Sequence, residues 1–172
     1  MNDFKTFKTE RLVLKPMQIE DAAFLLELLN TPKWIKHIGD RNVHTIKEAE
    51  EYIKIKMFPQ LKELGYGNYL IVRKADNSKI GTCGLYNREG IEGIDIGFAF
   101  LPQFEKHGYG FEAAQKIVDV GFNEFNISQI SAITTKENID SQKLIEKLGL
   151  KFEKIINIPN DPEDLRYYSL QR

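Results

Sequence analysis

The chain has 172 residues, 42% apolar and 28% charged, which suits one folded domain with its own core and excludes a disordered chain. Lys and Arg number 24 against 25 Asp and Glu, and a net charge of -1 carries none of the basic excess of a dedicated nucleic-acid or anionic-membrane binder. Cys83 is the sole cysteine, and His37, His44 and His107 stand apart in the sequence, so neither an internal disulfide nor a structural metal site is expected.

The opening segment MNDFKTFKTE lacks the apolar run of a signal peptide. The stretch AAFLLELLN is too short to span a bilayer and is broken by Glu27, so a cytoplasmic protein with no membrane or nucleic-acid partner is expected. RLVLKPM alternates Leu12 and Leu14 with polar neighbours and reads as a first strand ending near Pro16. Residues 19–30 read as a helix with Phe24, Leu25, Leu28 and Leu29 on one face. Thr31 can cap a short helix with Pro32 at its first position, stopped by Gly39. Thr45 and Glu48 form a capping box for a longer helix with Ile46, Ala49, Ile53 and Met57 inward, strained at Pro59 and ended by Gly65.

Residues 68–100 then read as a three-stranded meander, through YGNYLIVRK, KIGTCGLYN and IDIGFAF, with turns at ADNS and REGIEG. Residues 108–125 are helical, with Phe111, Ala114, Val118 and Phe122 on one stripe. QISAITT is a strand, and NIDSQKLIEKLG is a helix capped by Asn138 and stopped by Gly149, with Leu150 packing back on Ile145. LKFEKIIN and LRYYSLQ close the chain as strands around the turn PNDPED. No repeat or linker divides the sequence, so one domain over 1–172 is expected. The order predicts a mixed α/β fold with both antiparallel and parallel pairing.

A strand, a loop with Gly108 and Gly110, and a helix start together offer an anion several backbone N–H groups, from Lys106, His107, Gly108, Tyr109, Gly110 and Phe111. Gly108, Gly110 and Ala113 also spell the G-x-G-x-x-A of a dinucleotide site. Residues 101–107 intervene after the strand, however, and no acidic residue follows at the expected distance.

IDIGFAFLPQFEKHGYGFEAAQKIVDVGF followed by ISQISAITTKENIDSQKLIEKLGLKFE resembles the core of the GCN5-related N-acetyltransferases, and FKTERLVLKP resembles the opening strand of the branch with the ribosomal-protein N-terminal acetyltransferases. The resemblance implies a mixed, mostly antiparallel sheet with a splayed central strand pair and flanking helices. It implies acetyl-CoA as cosubstrate and no metal. The family's pyrophosphate loop, Gln/Arg-x-x-Gly-x-Gly/Ala, falls on residues 105–110, where Gly108 and Gly110 match. Glu105 stands where Gln or Arg is usual, and Lys106 where Gly is common. The strand near Phe98 and Phe100 would pair with the pantetheine amides, and Asn138 and Ser141 match the family's Asn-x-x-Ser/Ala.

Transfer of an acetyl group from a thioester to an amine needs a base for the ammonium proton, a donor for the carbonyl oxygen and a proton for the leaving thiolate. Asp95 is the first candidate base, ahead of Glu89, Glu92 and His44. Cys83 is expected to be a small buried hydrophobe rather than a nucleophile. The family's acidic tyrosine is replaced by Ile145, which leaves Ser141 as the nearest hydroxyl. By resemblance, the acceptor wall is TPKWIKHIGDR, with Trp34 and Ile38 on one helical face and Asp40 or Arg41 reading a charged group, and PNDPED on the opposite rim. The acceptor amine is not identified. A non-catalytic acyl-CoA-binding module and a nicotinamide-dependent oxidoreductase are the alternatives, and RYYSL and GLKFE could support a homodimer.

Overall fold

The computed structural model describes residues 4–172; Met1 to Asp3, where the segment read for a signal peptide begins, lie outside it. The strands are β1 (Phe7–Lys8), β2 (Leu12–Pro16), β3 (Asn68–Arg73), β4 (Ser78–Tyr86), β5 (Ile94–Phe100), β6 (Gln129–Thr135), β7 (Lys151–Ile156) and β8 (Leu165–Gln171). They form one sheet in the order β1-β2-β3-β4-β5-β6-β8-β7. Every neighbouring pair is antiparallel except β5 with β6, where the chain crosses over through a helix. The two-residue β1, which pairs Phe7 with Leu14, is an addition to the strands read from the sequence.

The helices are α1 (Ala22–Leu29), α2 (Pro32–His37), α3 (Ile46–Tyr52), α4 (Phe58–Leu64), α5 (Tyr109–Asn123) and α6 (Ile139–Lys147). Thr31 Oγ1 accepts the Trp34 N–H at the start of α2, and the Thr45–Glu48 box opens α3. The long helix expected from Ile46 onward departs from α-geometry in a π-turn, Ile53–Met57, and resumes as α4 with Pro59 in its first turn. Proline has no N–H to donate, so the ladder widens before it rather than breaking. Ile46 is a correction: it is 52% exposed, because the helix turns Ala49 and Ile53 inward instead.

Two cores flank the sheet. Ile96, Tyr69 and Ile130 meet Ala113, Ala114, Ile117 and Val118 of α5 and Ile145 of α6 on one face. Phe111 and Phe122 are only partly buried there; the inward stripe of α5 is made by its smaller residues. Leu150 joins Ile145 in this core, as the sequence implies. Leu70, Val72 and Leu101 meet α1 and α3 on the other face. Alternation along β5 therefore sends Phe98 and Phe100 toward α5, and Asp95, Gly97 and Ala99 toward the α1–α4 side.

Candidate active site

The parallel pairing of β5 with β6 is short. It joins Ile94 to Ile130 and Asp95 to Ser131, and goes no further. Beyond that point β5 stays with β4 as far as Phe100, and β6 stays with β8 as far as Thr135. Residues 96–100 and 132–135 thus face each other across a wedge with free backbone edges, and Asp95 and Ser131 mark its apex.

A 3-10 turn, Pro102–Phe104, leads from β5 to the glycine loop. Lys106 has φ 62° and Gly108 φ 80°, both left-handed. That conformation costs a non-glycine residue about 1–2 kcal/mol, so Lys106 carries a strain that glycine avoids. Helix α5 starts at Tyr109 with no side chain capping it, and its first backbone bond to the loop runs from Glu112 N–H to the Gly108 carbonyl. The N–H groups of Tyr109, Gly110 and Phe111 are left for an outside acceptor. The loop is braced from behind. Arg11 donates to the His107 carbonyl at 3.0 Å and to Glu112 at 2.7 Å, and lies 4.4 Å above the Tyr109 ring. Burial opposes ionisation of Glu112, yet the bonds from Thr9 and Arg11 outweigh it and hold its pKa low. The Tyr109 side chain is therefore packing, and only its backbone faces outward.

On the opposite wall, Asn138 Oδ1 caps α6 by accepting the Ser141 N–H at 3.2 Å. Its Nδ2 takes no part in that cap. Ser141 is half-buried one turn along. Ile145 is 1% exposed and belongs to the core.

At the wedge apex, Asp95 is 2% exposed. Its Oδ2 accepts Arg88 Nε at 2.9 Å, and its Oδ1 has no partner. Burial pushes its pKa up to about 6, against the opposing pull of Arg88. The ring of Tyr86, cross-strand from Asp95, lies over Gly97 with its hydroxyl beside Gly84, and that hydroxyl donates to Asn68 Oδ1 at 2.5 Å. A Cβ on Gly97 would come within 2.9 Å of that ring, so only glycine leaves it room. The Glu92 carbonyl accepts from both Ser131 and Tyr167, which pins the turn carrying Arg88 and Glu92. Gly90 in that turn lies against Pro159 of the β7–β8 loop, which carries PNDPED.

Residues 11–151 match the profile of the acetyltransferase (GNAT) domain. The chain belongs to the GNAT acetyltransferase family. It is 30% identical over 154 residues to an uncharacterized N-acetyltransferase, p20, of Bacillus licheniformis, covering 88% of this chain and 85% of that one. A GNAT-family acetyltransferase of Bacillus anthracis superposes with a TM-score of 0.79 at 25% identity, over 97% of this chain and 98% of that one. RimL, a ribosomal α-N-protein acetyltransferase solved in complex with coenzyme A, has a TM-score of 0.78 at 15% identity, over 97% and 98% of the chains.

In this acetyltransferase the other candidates are spread more widely. Trp34 is partly buried against the α1–α3 core, and its Nε1 is buried without a partner. Ile38 follows the last turn of α2 and is 39% exposed. Asp40 spends an oxygen on the Asn42 N–H, and Arg41 is exposed. His44 is exposed, and its backbone N–H bonds Glu48. Cys83 is wholly buried, and burial pushes its thiol pKa far up, which fits a packing role. Among the described residues no group of three His, Cys, Asp or Glu could hold a metal, and no helix is long and apolar enough to cross a membrane.

Sequence reasoning missed the partners. Arg11 on the loop and Lys33 on Glu105 are paired across long sequence distances, and Arg88 reaches Asp95 from the turn seven positions before it. Only the unusual Glu105 pointed toward one of them, as a carboxylate in need of a cation.

Proposed function

We propose that the protein transfers the acetyl group of acetyl-CoA to a primary amine, by direct attack in a ternary complex. The observation that carries this is the wedge between β5 and β6, whose apex is Asp95 and whose mouth meets the uncapped start of α5. The pyrophosphate would take the N–H groups from Lys106 to Phe111. The pantetheine amides would pair with the free edge of β5 near Phe98 and Phe100, as an added strand does, with Asn138 Nδ2 donating from the other wall. The thioester then lies at the apex.

There the amine nitrogen forms a bond to the acetyl carbon and the carbon–sulfur bond breaks. Asp95 Oδ1, unpartnered, receives the amine proton directly or through water. Ser141 or water returns a proton to the thiolate. Trp34, Ile38 and Asp40 stand on the acceptor side. The opposite rim carries Glu89, Glu92, Asp161, Glu163 and Asp164, a field that favours an ammonium-bearing acceptor. The likeness to RimL supports placing the chain near the ribosomal-protein N-terminal acetyltransferases, with a protein N-terminus among the acceptors to test.

Ile145 in the core favours a second reading, a binder of acyl-CoA without turnover, since the family's acidic tyrosine is absent. Calorimetric titration with acetyl-CoA, followed by thiol release in a panel of amines and N-terminal peptides, separates the two. Acetyl-CoA binding with thiol release supports the enzyme. Binding without release from any amine supports the silent binder, and no binding sinks both.

A further inference from the structure

Glu105 opens the phosphate loop, where a carboxylate repels the ligand the loop is built to hold. The structure shows how that charge is met. Lys33 Nζ of α2 lies 2.9 Å from Glu105 and 3.5 Å from Asp140. Glu105 belongs to the β5 side of the wedge and Asp140 to the first turn of α6, beside Asn138 on the β6 side. Lys33 therefore stands at the mouth, between the two walls. His37, one turn further along α2, shares its face. Its pKa is lowered by burial and by Lys36 and Lys33, against the opposing charges of Glu137 and Asp140, so it faces the same wall. Helix α2 thus lies across the opening, and Trp34 on the same helix belongs to the acceptor side.

We propose that Lys33 is a pyrophosphate ligand contributed by the acceptor-side helix, supplying the positive charge that an Arg at the position of Glu105 would carry. This rests on the acetyl-CoA reading above. Glu105 holds the ammonium at the loop by a short charged bond. Asp140, more distant and 72% exposed, is the partner that a phosphate oxygen displaces. Cofactor binding then fixes α2, and with it one wall of the acceptor site.

The test uses the whole protein titrated with CoA, and with dephospho-CoA, which keeps the pyrophosphate and lacks the 3′-phosphate. Lys33→Met should weaken both ligands alike, by roughly 10- to 100-fold, the worth of a hydrogen bond to a charged group. It should also flatten the salt dependence of binding. Lys33→Arg should restore affinity to within a few-fold. Asp140→Asn, which removes the competing carboxylate, should tighten binding by a few-fold, and this exposed position keeps the test open if Lys33→Met folds poorly. Unchanged or tighter CoA binding by Lys33→Met overturns the inference and leaves Lys33 a surface ion pair. Loss confined to CoA, with dephospho-CoA unaffected, overturns it too. Failure of the parent protein to bind CoA at all is a different result, and removes the acetyl-CoA reading and this inference together.

Discussion

Arg88 donates its Nε to Asp95 Oδ2 at 2.9 Å, while Asp95 Oδ1 stays buried and unpartnered at the apex of the wedge. The carboxylate is held by one oxygen and left available by the other. Burial raises its pKa from 3.8 to about 6 despite the cation. As a base Asp95 must be ionised, so kcat should rise with pH through about 6 and level above it. Asp95→Asn should lower kcat by about 10²–10⁴-fold and abolish that limb, with acetyl-CoA affinity retained. An unchanged pH profile in the variant would move the base elsewhere.

The same shift has a consequence for stability. A carboxyl whose folded pKa is raised favours folding in its neutral form. Its contribution is complete below about pH 4 and is lost as pH climbs through about 6. The shift amounts to on the order of 2–3 kcal/mol between those limits. In thermal melts, Asp95→Asn should flatten the stability profile between pH 4 and 7. A parallel slope in parent and variant would assign the pH dependence to other groups.

Arg88 lowers the pKa of Asp95, so its removal has a signed effect. Arg88→Met should push the kinetic limb above pH 6 and reduce activity at pH 6 more than at pH 8. Raising the assay pH should recover most of the loss. Equal loss at both pH values would show that Arg88 acts on substrate rather than through Asp95.

How much of this was legible depended on distance along the chain. The Thr31, Thr45 and Asn138 caps, and Gly65 ending α4, are local chemistry and were readable residue by residue. The wedge was implied by resemblance alone, since a strand's sequence does not say where pairing stops. Ile46 was misplaced because a spacing pattern fixes a face only after packing has chosen it. Arg88 with Asp95 looked like a turn residue beside a strand residue, and Lys33 lies 72 positions from Glu105. Nothing in either segment announces the other.

Gly110 opens α5 with ordinary backbone angles, and a Cβ there would meet Leu144 at 3.4 Å and Phe100 at 3.7 Å. A small side chain is thus sterically tolerable. Gly110→Asp places a negative charge beside the N–H groups assigned to the pyrophosphate. Acetyl-CoA affinity should fall at least tenfold, or about 1.4 kcal/mol, with the melting temperature nearly unchanged. Undiminished affinity in a folded variant would place the phosphates elsewhere.

The floor beside Asp95 makes a different demand on glycine. The Tyr86 ring lies over Gly97, and its hydroxyl passes beside Gly84 to reach Asn68. Gly97→Ala drives a methyl to about the 2.9 Å separation from the ring, so the tyrosine must lift and its hydrogen bond to Asn68 breaks. Overpacking and a lost buried hydrogen bond together should cost about 1–3 kcal/mol in denaturant melts. Tyr86→Phe separates the parts: it keeps the ring in place and loses only the hydrogen bond, about 1 kcal/mol. If Gly97→Ala is no worse than Tyr86→Phe, the ring has room to move and the glycine is not there for packing.

With Ile145 buried in the core, the thiolate's proton has no tyrosine to come from on α6. Ser141 is half-buried at the start of that helix, and its backbone N–H, not its hydroxyl, serves the Asn138 cap. Its hydroxyl is free for the leaving sulfur, directly or through water. Ser141→Ala keeps the cap and should leave acetyl-CoA affinity unchanged. If the hydroxyl is the donor, kcat should fall by about 10-fold or more. The loss should also be smaller with thioesters of more acidic thiols, whose leaving groups need less protonation. A Ser141→Ala enzyme with full kcat would assign the proton to water. It would then follow that α6 contributes to catalysis only through Asn138, by holding the pantetheine in line with the amine.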